Sequence, residues 1–329
     1  MECQCIRQQF SIGSVTIYIG DDTTSGMAML KTWFQSLIGR KRPVALVLGG
    51  GGARGLAHIG VLEALDAAGL RPDMIVGTSI GAVIGAMYAQ TGSSSGLRHR
   101  MQSFLASDFF TSVGIESFYS ERNSDLLSLI ERWLHDIRLR LQLTRALTQR
   151  GMMPRSVLTD GLRMLVDDGR IEDCAIPFAC VAMELLSGES RTFQRGNIIE
   201  AVTASCSIPG IIETVSGADG VLVDGAVTST SPVKEARACG ARTVIAVDIS
   251  RDLRTEEIPS AGYEVMFRVG DIASAHCDRL QLAEADIVLH PRVAHVHWAQ
   301  FDQADALIEA GIDITEEQLA LLHSAIPKK

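Results

Sequence analysis

A serine between two glycines is the first residue of the chain whose surroundings suggest chemistry. Ser79 lies in the motif Gly77–Gly81 (GTSIG), which directly follows the apolar run Met74–Val76. A serine on a tight turn between a strand and a helix exposes its hydroxyl at the edge of a sheet, and flanking glycines such as Gly77 and Gly81 keep that turn unobstructed. The motif is weak by itself in a chain with 30 glycines, and a purely structural turn is the alternative interpretation.

A run of glycines precedes this serine, between the apolar run Val44–Leu48 and a helical pattern over Leu56–Ala68. Consecutive glycines let the backbone turn sharply and present successive N–H groups near the N-terminus of a helix, which is an arrangement that holds an anion. That anion is either a pyrophosphate or the oxyanion that develops during acyl transfer. The run and its continuation comprise Gly49, Gly50, Gly51, Gly52, Ala53, Arg54 and Gly55.

The same run formally matches a dinucleotide-binding fingerprint, so a nucleotide site is the competing interpretation. A site of that kind needs an acidic residue at the end of the second strand to hold the ribose. Here the second strand ends in Gly77–Ser79, and the nearest acid, Asp73, stands at its other end. The pattern therefore favours an oxyanion over a nucleotide, and we expect no cofactor.

A third motif, Asp224-Gly225-Ala226, follows the apolar run Val221–Val223. By itself it would be a surface turn, but the three motifs in this order closely resemble the patatin-like phospholipases. That family includes plant patatins, many bacterial lipases and the catalytic domain of neuropathy target esterase. The resemblance covers about residues 43–312 and is supported by the segments Ala204–Gly210 and Phe301–Asp305.

The resemblance implies a serine esterase that hydrolyses phospholipids, lysophospholipids or other acyl esters. It makes Ser79 the nucleophile and Asp224 its base, because burial can raise the proton affinity of a carboxylate enough for that role. It also implies an oxyanion hole formed by the glycine loop, with Arg54 bracing the loop. The implied oxyanion-hole positions are Gly50, Gly51, Gly52, Ala53 and Arg54, and the supporting motif residues are Gly55, Gly77, Gly81, Gly225 and Ala226.

Two alternatives stay open at this point: a non-catalytic lipid-binding or regulatory protein on the same fold, and a Ser-Asp-His esterase. The chain order would allow a histidine as third member. However, only one core strand precedes Ser79, which favours the dyad. We interpret His58 as a packed helix residue, and we predict no metal site, since two histidines alone do not make one. The histidines considered for a triad are His276, His290, His295 and His297.

Composition excludes several classes of protein. Lys and Arg number 30 against 39 Asp and Glu, a net charge of -9, which disfavours bulk nucleic-acid binding. The seven cysteines form no C-x-x-C pair, and Met1–Gln9 lacks the apolar core of a signal peptide. We therefore expect a cytoplasmic protein, peripheral at the membrane at most, with homo-oligomerisation left open.

The order of apolar runs predicts an α/β fold with a mainly parallel central sheet and helices on both faces. We expect a hydrolase domain over residues 43–312, interrupted by a helical lid at about 107–155 whose arginines could meet phosphate headgroups. The predicted strands are Val44–Leu48, Met74–Val76, Phe178–Met183, Val221–Val223, Val244–Asp248 and Ile287–His290.

The two ends of the chain carry further expectations. Residues 1–42 form an N-terminal appendage with one strand over Ile12–Ile19 and an amphipathic helix over Met27–Arg40, for which a membrane surface or the protein core is the partner. From Phe301 onward we expect two helices. The second occupies residues 313–329 and begins with the capping-box pattern Thr315–Gln318.

Overall fold

The structure is a computed structural model that describes residues 8–12, 15–19, 43–115, 151–217, 220–254 and 262–326. The chain divides into two compact units, Met1–Arg42 and Pro43–Lys329. The helix predicted over Met27–Arg40 lies outside the described residues, and so do residues 116–150 of the predicted lid.

The first unit contains a hairpin in which β1 (Gln8–Ile12) pairs antiparallel with β2 (Val15–Ile19). The prediction of a single strand over Ile12–Ile19 was therefore wrong. The sequence separates the two strands by Gly13 and Ser14, and a Gly-Ser pair between two β-prone runs is a hairpin signal that the interpretation overlooked.

The second unit is built on an eight-stranded sheet, counted over the described residues, in the order β10-β9-β3-β4-β5-β8-β7 with β6 also paired to β5. Neighbours from β10 to β5 are parallel, whereas β6, β7 and β8 join by antiparallel pairing. The strands are β3 (Val44–Leu48), β4 (Met74–Thr78), β5 (Phe178–Glu184), β6 (Ser190–Phe193), β7 (Val215–Gly217), β8 (Gly220–Asp224), β9 (Thr243–Val247) and β10 (Ile287–Leu289).

Both faces of the parallel part are covered, which confirms the predicted α/β class. Successive residues of a strand point to opposite faces. In β3, Leu46 and Leu48 join one buried cluster while Ala45 and Val47 join another. A strand that is buried on both faces has a continuous apolar sequence, which is why the run at 44–48 contains no polar residue.

Helices flank this sheet and connect its strands. The helices are α1 (Ala57–Ala67), α2 (Ile80–Thr91), α3 (Leu97–Leu105), α4 (Asp108–Val113), α5 (Arg155–Leu165), α6 (Ile198–Ser205), α7 (Val233–Ala238), α8 (Gly262–Leu282), α9 (Ala304–Glu317) and α10 (Leu319–Ala325). Most of them pack on one face of the sheet, whereas α7 and the end of α8 pack on the other face.

The C-terminal helices begin and end at other residues than predicted. Thr315 does not cap a helix: it lies inside α9, where its hydroxyl donates to the Gly311 carbonyl at 2.8 Å. Gln318 is the N-cap of α10, and its side chain makes no capping hydrogen bond. The capping-box interpretation was therefore wrong, because a threonine that bonds back to the carbonyl four residues earlier is compatible with a helix interior.

Among the helices that the structure describes, none has the length and the apolar composition that crossing a membrane requires.

Candidate active site

The two edges of β5 explain how residues 145 positions apart come together. Thr78 of β4 lies opposite Val181, and Asp224 of β8 lies opposite the next residue, Ala182. Strand β6 pairs with the same stretch of β5, so it must occupy the other edge. Strands β4 and β8 therefore share one edge and meet there with their carboxyl ends, which places Ser79 beside Asp224.

Ser79 lies on a strained turn between β4 and α2. Its φ of 54° is the only positive value among the non-glycine residues that the structure describes. Such a conformation is costly, and it aims the hydroxyl away from the sheet. The turn also demands its glycines: a Cβ on Gly77 would lie 2.4 Å from the Gly81 carbonyl oxygen, and one on Gly81 would lie 2.0 Å from that of Leu48.

The Ser79 hydroxyl donates a hydrogen bond to Oδ2 of Asp224 at 2.7 Å. The second carboxylate oxygen, Oδ1, accepts from the Ala226 N–H at 2.8 Å. Asp224 is only 3% exposed, and this burial raises its pKa from 3.8 to about 6 although the two hydrogen bonds oppose the rise. The carboxylate is thus ionised at neutral pH and accepts a proton more readily than an ordinary aspartate does.

The turn after Asp224 depends on its glycine. A Cβ on Gly225 would lie 2.3 Å from the Val181 carbonyl oxygen. The backbone N–H of Asp224 donates to the Ser207 carbonyl at 2.9 Å, which anchors the end of β8 to the segment after α6. Gly225 and Ala226 therefore serve the placement of the carboxylate.

Ser205 connects the serine turn to β5, a role that its motif did not reveal. Its hydroxyl accepts from the Ser79 N–H at 3.0 Å and donates to the Val181 carbonyl at 2.6 Å. Cys206, the next residue, is buried beside the Ser79 hydroxyl. Burial raises the pKa of this thiol well above its usual value, so the group beside Asp224 is uncharged.

Two of the predicted oxyanion donors are already engaged. The Gly50 N–H donates to the Thr230 carbonyl at 2.9 Å, and the Ala53 N–H donates to that of Trp298 at 2.7 Å. Within the described part of the chain, the N–H groups of Gly51 and Gly52 donate no hydrogen bond to another loop. Among the four predicted positions 50–53, these two N–H groups are therefore the ones not engaged by the Thr230 and Trp298 carbonyls.

The Arg54 side chain is buried and points to backbone carbonyls of two other loops. Its Nε donates to the Ile249 carbonyl at 2.8 Å, and Nη1 donates to that of Val296 at 3.1 Å. Burial lowers its pKa to about 10, so it stays charged at neutral pH. Arg54 braces the loop, and Gly55 next to it makes room for α2, since a Cβ there would lie 2.3 Å from the Ile80 side chain.

His58 holds the first peptide group of the glycine loop. Its Nε2 lies 2.9 Å from the Gly49 carbonyl oxygen, so this nitrogen carries the proton and donates. The N–H of that same peptide group belongs to Gly50 and bonds Thr230, so the group is fixed at both ends. Burial lowers the pKa of His58 to about 4, which keeps the ring neutral. The sequence interpretation treated His58 only as a packed residue.

The direct contact between Ser79 and Asp224 leaves no space for a histidine between them. His290 instead lies 2.9 Å from Asp248, and His297 stacks near Trp298 with ring centroids 5.6 Å apart. His276 and His295 are exposed. In the described ranges, no group of three or more His, Cys, Asp or Glu side chains is arranged to hold a metal ion.

The sequence model of the patatin-like phospholipase family matches residues 46–237, which is more than half of the chain. The chain therefore belongs to the patatin-like phospholipase family.

Relatives in other organisms agree with this assignment. Over 215 residues the chain is 34% identical to patatin-like phospholipase domain-containing protein 6 of Mus musculus, covering 65% of this chain and 14% of that protein. It is 33% identical over 207 residues to an uncharacterised NTE family protein of Mycobacterium bovis, covering 63% and 49%. VipD from Legionella pneumophila superposes with a TM-score of 0.40 at 15% identity, over 86% of this chain and 67% of VipD. The chain thus spans less than half of the length of the Mus musculus and Mycobacterium bovis relatives.

Proposed function

We propose that this protein is a serine esterase that hydrolyses acyl ester bonds of phospholipids or lysophospholipids through a Ser79–Asp224 dyad. The observation that carries the proposal is the 2.7 Å hydrogen bond from the Ser79 hydroxyl to a buried carboxylate whose pKa is raised to about 6. A base of that pKa is ionised at neutral pH and still strong enough to share a proton in a transition state.

In the proposed reaction, Ser79 Oγ attacks the ester carbonyl carbon while its proton passes to Asp224 Oδ2. The C–O bond to the alcohol then breaks, and the proton of Asp224 passes to the departing alcohol oxygen. Water subsequently attacks the acyl-serine ester with Asp224 again accepting the proton. The bond between the acyl carbon and Ser79 Oγ then breaks, the proton returns from Asp224 to Oγ, and the fatty acid leaves, so both halves use the same base.

The oxyanion of each tetrahedral intermediate is proposed to bind the N–H groups of Gly51 and Gly52. Their availability supports this assignment, since the neighbouring N–H groups of Gly50 and Ala53 are engaged elsewhere. The clamp on the Gly49–Gly50 peptide group by His58 and Thr230 fixes the loop before the substrate arrives. Donors that need no rearrangement contribute most to catalysis, and losing one typically costs about 10²–10³-fold in rate.

The substrate class rests on the family, whose name denotes phospholipases. We further propose a cytoplasmic enzyme that contacts the membrane peripherally, without nucleic acid or cofactor. A Ser-Asp-His triad receives no support from the site, because Oδ2 of Asp224 directly accepts from Ser79.

A fluorophosphonate probe tests the proposal on purified, folded protein. We expect covalent labelling of the wild type, loss of labelling in Ser79→Ala, and full labelling in Ser324→Ala, an exposed serine on α10 that serves as the matched control. Labelling that persists in Ser79→Ala, or never occurs in the wild type, would favour a non-catalytic lipid-binding protein. Loss of soluble-ester turnover in His297→Gln as severe as in Ser79→Ala would replace the dyad by a triad.

A further inference from the structure

The turn between β5 and β6 presents two leucines to solvent. Leu186 is 82% exposed and Leu185 is 48% exposed, the former being the most exposed large apolar side chain among the described residues. Single exposed leucines are common, but two adjacent ones at the tip of a hairpin place an apolar point on the surface.

This tip is rigidly built. The Leu185 N–H donates to the Val221 carbonyl at 2.7 Å, and the Gly188 N–H donates to the Glu184 carbonyl at 2.8 Å. The Glu184 carboxylate accepts from the Ser187 N–H at 2.6 Å and from the Val221 N–H at 3.2 Å, so it ties the turn to β8. The exposed leucines are thus held in place by the backbone around them and do not need burial to be ordered.

The tip projects at the edge of the sheet where Ser79 opens. Thr78 lies opposite Val181, so β5 continues for several residues beyond the level of the nucleophile before it turns. At about 3.3 Å a residue, Leu185 lies roughly 13 Å farther along the strand. Val227, 44% exposed, follows the Asp224 turn, and its neighbour Thr228 contacts Ser190 of β6 at 3.3 Å. The β5–β6 hairpin and the turn after Asp224 therefore lie next to each other.

We propose that the Leu185–Leu186 tip inserts into the lipid bilayer and seats the active site over its substrate. This inference rests on the proposed function, in which the ester lies in a membrane. An apolar element at an interface reaches about 5–10 Å below the headgroup level. A tip that reaches roughly 13 Å beyond the nucleophile would then bring Ser79 close to the headgroups, so a lipid needs to rise only slightly to meet it.

The occupant is a bilayer and not a nucleic acid, because the exposed side chains at the tip are leucines, the proposed substrate is a membrane lipid, and the chain has a net charge of -9. Binding through leucines depends little on ionic strength, whereas binding through basic residues weakens as salt rises. Salt dependence therefore distinguishes the tip from the amphipathic helix predicted over Met27–Arg40, whose sequence includes Lys31 and Arg40.

The test compares full-length wild type, the double variant Leu185→Ser/Leu186→Ser and the control Leu280→Ser. Leu280 is also strongly exposed, at 69%, but lies near the end of α8, which leads to the opposite edge of the sheet where β10 begins. Partition to phosphatidylcholine vesicles is measured by sedimentation at about 0.1 M and about 0.5 M NaCl. Hydrolysis of a short, soluble ester is measured in parallel.

We expect the double variant to partition roughly 100-fold more weakly, about tenfold for each leucine, at both salt concentrations. Leu280→Ser should partition like the wild type, and all three proteins should hydrolyse the soluble ester equally. The proposal is overturned if the wild type does not bind vesicles, if the double variant binds them as well as the control, or if it loses soluble-ester turnover. It is also overturned if sedimentation shows that the substitutions convert a dimer to a monomer, since the tip would then cover a second copy. A wild type that binds vesicles through the tip but hydrolyses no ester would refute the proposed function alone.

Discussion

If Asp224 is the base of the proposed dyad, replacing it by asparagine should abolish activity, and it should also stabilise the fold because burial disfavours the ionised carboxylate. Its pKa is 3.8 in the reference state and about 6 in the folded protein. Below pH 3.8 the group is protonated in both states and has no effect. As pH rises, the unfolded chain ionises first, so stability falls until both states are ionised above pH 6.

The size of this penalty follows from the two pKa values. It amounts to about 1.6 kcal/mol at pH 5 and reaches about 3 kcal/mol at pH 8. Asparagine carries no charge and can still accept from the Ala226 N–H, so the variant should escape the penalty. We therefore expect the stability advantage of Asp224→Asn over the wild type to grow by about 1.4 kcal/mol between pH 5 and pH 8.

Urea unfolding at several pH values measures this advantage, and hydrolysis of a soluble ester over the same range measures the chemistry. Wild-type kcat/KM should fall about tenfold per pH unit below pH 6, since only ionised Asp224 can take the proton. Asp313→Asn, the same chemical change at an exposed position of α9, is the control and should alter neither quantity. A stability difference that does not change with pH, or an acid limb near pH 4, would show that Asp224 is not the buried base described above.

Two further predictions concern His58, which contacts the glycine loop, and Gly81, which lies in the turn that carries Ser79. His58→Leu removes the donor to the Gly49 carbonyl and should lower kcat for a soluble ester roughly tenfold with little change in KM, whereas His58→Gln, which keeps an N–H donor, should retain most of it. Equal losses in both variants would argue against the clamp. Gly81→Ala should destabilise the protein by more than about 3 kcal/mol in urea unfolding, because its Cβ would lie 2.0 Å from a backbone oxygen. The control Gly270→Ala, with open space around it in α8, should be neutral or stabilising.

Local patterns allowed the sequence to predict much of the fold. The six predicted strands all occur, because each is a short apolar run followed by glycine or a polar turn. Strands β6 and β7 were missed since Ser190–Phe193 and Val215–Gly217 each contain only one large apolar residue. Each of them pairs antiparallel with the strand next to it in the chain, β6 with β5 and β7 with β8, and such pairing can hold a segment whose own strand propensity is low.

In the site, too, some features could be predicted from the sequence and others could not. The glycines and the two polar residues at the strand ends could be found because a tight turn restricts which residues fit it. The sequence could not predict which N–H groups of the glycine loop remain available for an oxyanion. That depends on the carbonyls of Thr230 and Trp298, which belong to loops far along the chain. The bracing by Arg54 was implied by resemblance, and Ser205 lies in the supporting segment Ala204–Gly210, but neither its contacts nor those of His58 could be predicted from the sequence.

The meeting of β4 and β8 on one edge of β5 divides the site between two parts of the sheet with different means of support. Ser79 ends a strand of the parallel core, which is buried on both faces. Asp224 ends a five-residue antiparallel strand whose outer neighbour, β7, has only three residues. Short peripheral strands open locally at lower free energy than a core does. Opening of β8 alone would withdraw the carboxylate while the nucleophile stays in place, so catalytic activity reports the integrity of that one strand and should disappear before circular dichroism detects loss of the parallel sheet.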